Sequence, residues 1–139
     1  MNFTENTLID FMIAQTNFKG HKIDVRLRVE DITNLETIAN NSIEYVSNNW
    51  SDIQNAIIDY LYDLYIDDWA DEDDPKYSKE QFLEKIYPQT IDFDDYEDDE
   101  CKPSYTMYFG DSGLFAGHGI QLYWKTGQKI TNQAVSLVG

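Results

Sequence analysis

Apolar and polar residues alternate strictly through HKIDVRLRVE, residues 21–30, which puts Ile23, Val25, Leu27 and Val29 on one face. A period of two is that of a strand with one side buried. The apolar run LIDFMIA, residues 8–14, has strand length, and the polar, glycine-bearing QTNFKG between the two runs predicts a hairpin. The period then changes. Leu35, Ile38, Ala39, Ile43 and Val46 recur at helical spacing up to Asn48, with Asp31 or Thr33 available as N-cap. In DIQNAIIDYLYDLYIDDWA, Ile53, Ile57, Leu61 and Leu64 form a stripe that Ile58, Tyr62, Tyr65 and Trp69 widen, so a second helix is predicted to be largely buried. Ser78 with Gln81 at the third helical position spells a capping box and opens a third helix over SKEQFLEKIY, which Pro88 stops. TIDF, SYTMYF, GIQLYW and AVSLV return to strand chemistry, with turns at GDSG and KTGQ joining the last three.

Strands, then helices, then strands predict an α+β fold: an antiparallel sheet of about five to six strands with three helices on one face, in the order ββαααββββ. With 139 residues, of which 42% are apolar and 14% aromatic, the chain is expected to form a single domain over residues 1–139. A domain of that size removes roughly two-thirds of its unfolded surface from water.

Charge changes the picture more than size does. The formal net charge is −16, from 26 acidic and 10 basic residues. Such a field repels phosphate backbones and anionic membranes, so the expected partners are basic proteins and not nucleic acid or a membrane. Half of the acids lie in two segments without a basic residue, DDWADEDD at 67–74 and DFDDYEDDE at 92–100. Aromatics are interleaved with them: Tyr60, Tyr62, Tyr65 and Trp69 around the first, Phe93 and Tyr96 inside the second. Exposed rings among carboxylates make an interface of anchors with a charged rim. The candidate partner-binding residues are therefore Asp63, Asp67, Asp68, Trp69, Asp71, Glu72, Asp73 and Asp74 in one segment and Asp94, Asp95, Tyr96, Glu97, Asp98 and Asp99 in the other. The plainer alternative is a structural domain whose acidity serves solubility alone.

Candidate chemistry is sparse. The lone Cys101 cannot form an internal disulfide, and its acidic surroundings blunt a thiol. Two histidines and one cysteine fall short of a four-ligand structural zinc site, and neither acidic run has the glycine of a calcium loop, so no metal or cofactor is expected. The chain lacks G-x-S-x-G, a phosphate loop and a dinucleotide fingerprint. The opening MNFTENTLID has no basic and apolar leader pattern, and no apolar run reaches membrane-spanning length, so a cytoplasmic protein is expected. Both histidines sit in the same spelling, F-x-G-H-x-I, as FKGHKI at 18–23 and FAGHGI at 115–120. They can be read as metal ligands needing a third partner such as Asp111, or as acid–base groups. They can also be read as strand entrances where glycine permits a positive φ. The last reading asks least, and it makes Phe115, Gly117, His118 and Ile120 a structural motif. No catalytic residue is assigned; the alternative is a metal-dependent or hydrolytic enzyme centred on His118.

The run YTMYFGDSGLFAGHGIQLYW, followed by QAVSLVG, resembles the C-terminal half of a bacterial family, domain of unknown function 2262. Its members read as a strand, an acidic–glycine turn, LF-x-GH-x-I leading into another strand, and a short last strand ending in glycine. The matching positions are Phe109, Asp111, Gly113, Leu114, Phe115, Gly117, His118, Ile120 and Gly139. FKGHKIDVRL and the paired helices extend the likeness over most of the chain. Ala116 stands where that family commonly has a large aromatic, and Phe18 where tryptophan is frequent, so a pocket lined by those rings is not implied. Small acidic α+β proteins of this kind resemble immunity proteins, cytoplasmic inhibitors encoded beside polymorphic or contact-dependent toxins. The resemblance implies a basic protein toxin, such as a nuclease, encoded nearby and neutralised through the acidic surface.

Overall fold

Among the described residues seven strands form one sheet in chain order: β1 (Thr4–Asn6), β2 (Phe11–Phe18), β3 (His21–Arg28), β4 (Tyr87–Asp94), β5 (Ser104–Gly110), β6 (Gly119–Lys125) and β7 (Val135–Val138). The computed structural model describes residues 1–6, 11–30, 32–73, 75–95 and 103–139. Every neighbouring pair is antiparallel except β3 and β4, which run parallel. A parallel pair needs a long crossover, and here it holds α1 (Leu35–Asn48), α2 (Trp50–Leu64), a π-helical turn at Tyr65–Trp69 and α3 (Lys79–Glu84).

The fold is thus α+β with three α-helices and a mostly antiparallel sheet, and it departs from expectation in strand number and in the parallel joint. The three-residue β1 is too short to show a period. The first hairpin turns at Lys19–Gly20 alone, with Phe18 opposite His21, so QTNF is strand rather than loop. Pro88 does not end α3, which stops at Glu84; it lies in β4, where a bulge between Pro88 and Thr90 spares the ladder the missing N–H. Asn34 stands at the N-cap of α1, and Asp31, like Leu8–Asp10, is outside the described residues. The capping box is formed: Ser78 Oγ accepts from the Gln81 amide at 3.2 Å, and the Ser78 amide donates to Gln81 Oε1 at 2.9 Å.

Alternation along the strands gives the sheet two different faces. Val25, Leu27, Ile91, Met107, Ile120 and Leu122 are sealed against Ala39 and Val46 of α1 and Ile53, Ile57 and Leu61 of α2. Each such aliphatic side chain contributes about 1.5–3 kcal/mol on full burial. Tyr45 stacks on Tyr105, which stacks on Trp124, and the Trp124 indole donates to Tyr45 Oη at 3.3 Å, fixing α1 over β5 and β6. Burial pushes the Tyr105 phenol above its ordinary value.

The other face carries a charged clasp. Arg26 on β3 and Asp92 on β4 are register partners; Arg26 Nε donates to Asp92 Oδ1 at 2.6 Å and Nη2 donates to Oδ2. Phe11 and Tyr108 flank the guanidinium, and Asp92 is left 6% exposed. Loss of water pushes the Asp92 carboxyl up against the opposing pull of Arg26, while Arg26 itself stays charged. Thr90 lies close enough to favour the carboxylate, though its hydroxyl makes no well-aligned hydrogen bond. No described helix is long and apolar enough to cross a membrane.

Candidate functional site

The C-terminal end of α2 does not stop as an ordinary helix. Over Tyr65–Trp69 it widens into a π turn, closed by the Ala70 amide donating to the Tyr65 carbonyl at 2.7 Å. The extra residue per turn re-aims the last side chain, and such turns recur at functional sites. Trp69 is set edge-on to Phe115 and His118 of the β5–β6 connection and remains 36% exposed. Beneath it Tyr65 stacks on Tyr77, and Tyr65, Phe82 and Phe115 contact one another.

Around this exposed ring stand Asp67, Asp68, Asp71, Glu72 and Asp73, all exposed, as is Asp63 one turn earlier on α2. None of them forms an ion pair among the described residues. Asp71 Oδ1 accepts from the Asp73 amide at 3.1 Å, which orients that carboxylate. Of the lysines that follow, Lys76 is exposed, and Lys79 and Lys85 lie over the rings of Tyr62 and Tyr77. Asp74 is outside the described residues.

The described part of the second acidic segment, Asp92 to Asp95, is elsewhere. β4 begins at Tyr87 beside Gly110 and ends at Asp94 beside Ser104, so Asp94 lies at the opposite end of the sheet from the β5–β6 connection and Trp69. Eight strand residues separate the two ends by roughly 23 Å. On β4 itself Asp92 is the buried partner of Arg26, and Asp94 meets Arg28 at 3.5 Å. The expectation of carboxylates standing clear of the protein's own cations therefore fails for Asp94, because its strand register aligns it with Arg28. Asp95 is exposed, and Tyr96, Glu97, Asp98 and Asp99 lie outside the described residues.

The twin histidine segments repeat one course of backbone. Lys19 and Gly20 have φ of 49° and 82°, and Ala116 and Gly117 have 52° and 89°. Each left-handed pair follows a buried phenylalanine and leads through histidine to a buried isoleucine, Ile23 or Ile120. His21 stacks on Tyr87 and His118 meets Trp69, so β4 and β5 separate the two imidazoles. Asp111 is buried, and both its oxygens are used by its own turn, accepting from the Gly113 amide at 3.0 Å and the Phe115 amide at 2.9 Å. Ser112 Oγ donates to the Lys85 carbonyl at 2.9 Å, tying the same turn to the end of α3. Among the described residues no three His, Cys, Asp or Glu side chains converge on a metal-sized position.

A family model described as an uncharacterized protein conserved in bacteria, DUF2262, matches residues 2–135. The chain belongs to that family. No curated protein and no solved structure matches it significantly. In this DUF2262 member, Asp111, Phe115 and Gly117, singled out in the sequence, build the turn that supports Trp69. The π turn itself was not legible in the sequence, since the spacing of Leu61, Tyr65 and Trp69 fits an unbroken α-helix. What did point to the site was the interleaving of aromatics and acids from Asp59 to Asp74.

Proposed function

We propose that this DUF2262 protein is an inhibitor of the immunity type, which binds a basic protein toxin and neutralises it by occluding its working surface. The acidic π-turn segment, from Asp63 to Asp73, is the docking surface, and Trp69 is its central anchor. One observation carries the reading: an exposed tryptophan backed by Phe115 and His118, in a segment with five exposed carboxylates of which none forms an ion pair among the described residues. Rigid aromatic anchors with a charged rim concentrate binding energy, and a one-signed rim steers an oppositely charged partner.

The test is co-expression with the adjacent gene product in a sensitive host. Protection from a toxic neighbour, lost when Asp67, Asp68, Glu72 and Asp73 are changed together to their amides, supports the reading. An adjacent product that is neither toxic nor bound, or protection untouched by the four substitutions, overturns it.

A further inference from the structure

Between the π turn and the β5–β6 connection lies a cleft of about 250 Å³, whose walls include Tyr65, Trp69, Tyr77 and Leu114, with Asp71 at its rim. Its volume falls below the roughly 300 Å³ at which small-molecule sites begin, so it has room for about one side chain. The walls are mixed: the rings and Leu114 offer contact to methylene groups, while Asp71, Ser112 and Gly113 make much of the lining polar, which suits a side chain with an apolar stem and a polar, charged head. Tyr77 already carries the Lys85 ammonium 5.4 Å from its ring centre, whereas no cation among the described residues lies over Trp69, the ring type that attracts cations most strongly. The Asp71 carboxylate, held by the Asp73 amide through one oxygen, keeps its other oxygen for a donor.

We infer that this cleft receives a single arginine side chain of the protein partner, with its stem against Leu114, its guanidinium plane against Trp69 and its N–H groups on Asp71. Charge selects a cation, since residues 59–85 hold ten acidic and three basic residues. Geometry selects arginine over lysine: a planar, weakly hydrated guanidinium stacks on an indole and forks onto a carboxylate, whereas an ammonium is a compact and strongly hydrated point charge. The choice of a protein partner as the source rests on the inhibitor reading; the cleft's preference for a guanidinium does not.

The probe is N-acetyl-L-arginine amide, titrated into the full chain while the indole N–H resonance of Trp69 is followed by NMR. A saturable shift at Trp69 is expected, with N-acetyl-L-citrulline amide, of the same shape but uncharged, binding at least about threefold more weakly, as loss of a cation–π contact and a charged hydrogen bond requires. Asp71→Asn, at an exposed position, is expected to weaken arginine binding by a similar factor and to leave distant resonances in place. Trp69→Leu, read from the backbone amide resonances of Ala70 and Leu114 at the cleft, is expected to abolish it, and Asp71→Asn carries the test if that variant does not fold. No shift at Trp69 at millimolar probe, or equal shifts with citrulline, overturns the proposal. Partner binding that is lost with the four amide substitutions but indifferent to Asp71→Asn sinks the cleft and spares the inhibitor reading. Arginine binding without any toxin partner does the reverse.

Discussion

Ala116 is one of three described non-glycine residues, with Lys19 and Ser112, that hold a left-handed backbone. Its φ of 52° is left-handed, where a Cβ costs about 1–2 kcal/mol, and the glycine beside it is already spent on the second position of the pair. Ala116→Gly is expected to stabilise the fold by roughly 1 kcal/mol, read as a higher urea midpoint at unchanged slope. Gly110 has the opposite constraint: the Tyr87 ring lies across it, so a Cβ there would enter the ring's space and Gly110→Ala is expected to destabilise. The clasp on the uncovered face is asymmetric. Removing Arg26 as Arg26→Met strands the Asp92 carboxylate and is expected to cost on the order of 3 kcal/mol at neutral pH. Asp92→Asn is expected to cost less, because burial already pushes that carboxyl up and an amide still accepts from Arg26. Without Arg26 the carboxyl rises further. A raised folded value favours the folded state at low pH and ceases to do so as pH rises through it, so the Arg26→Met penalty shrinks on acidification. Unfolding curves of both chains across the acid range measure this.

At the scale of elements, most of the chain was legible because its periods are clean. HKIDVRLR, SYTMYFG and GIQLYWK bury alternate residues, and all three helices exist where apolar spacing placed them. What stayed hidden had physical reasons. A parallel joint between β3 and β4 leaves no mark on either strand, since Ile91 and Phe93 alternate with Asp92 and Asp94 as they would in an antiparallel neighbour. The bulge let Pro88 sit in a strand, and the π turn follows α2 without a break in the apolar spacing. The Ser78 capping box was fully spelled. Since α3 has only six residues, it depends on that cap, and Ser78→Ala is expected to cost about 1 kcal/mol. Its effect extends to the site, because Phe82 of α3 touches Tyr65 and Phe115 beneath Trp69. Hydrogen exchange of the 79–86 amides is expected to quicken in that variant before the sheet loosens.

For the whole molecule, the net charge of −16 is unevenly used. The sequence announced two acidic segments but not that Asp94 lies a strand's length from Trp69, which follows from the course of β4 along β5. One end offers carboxylates around a fixed aromatic ring, whereas at the other Asp92 and Asp94 answer to arginines. Association with a basic partner at the first end is expected to slow steeply between low salt and about 0.5 M, as the screening length falls well below 10 Å. Stopped-flow rates against ionic strength give the slope. Neutralising Asp67, Asp68, Glu72 and Asp73 is expected to flatten it, and neutralising Asp95 to leave it nearly unchanged.

Both arginine clasps, Arg26 with Asp92 and Arg28 with Asp94, bridge the parallel ladder between β3 and β4, the single place in the sheet where neighbours are far apart along the chain. Elsewhere short connections dictate which residue faces which. Here a crossover of nearly sixty residues leaves alignment undecided, and a slip by one would turn the helix-facing side of β4 outward. The paired charges act as the notch of a key, admitting one alignment of two hairpin-built halves that the crossover alone could not choose.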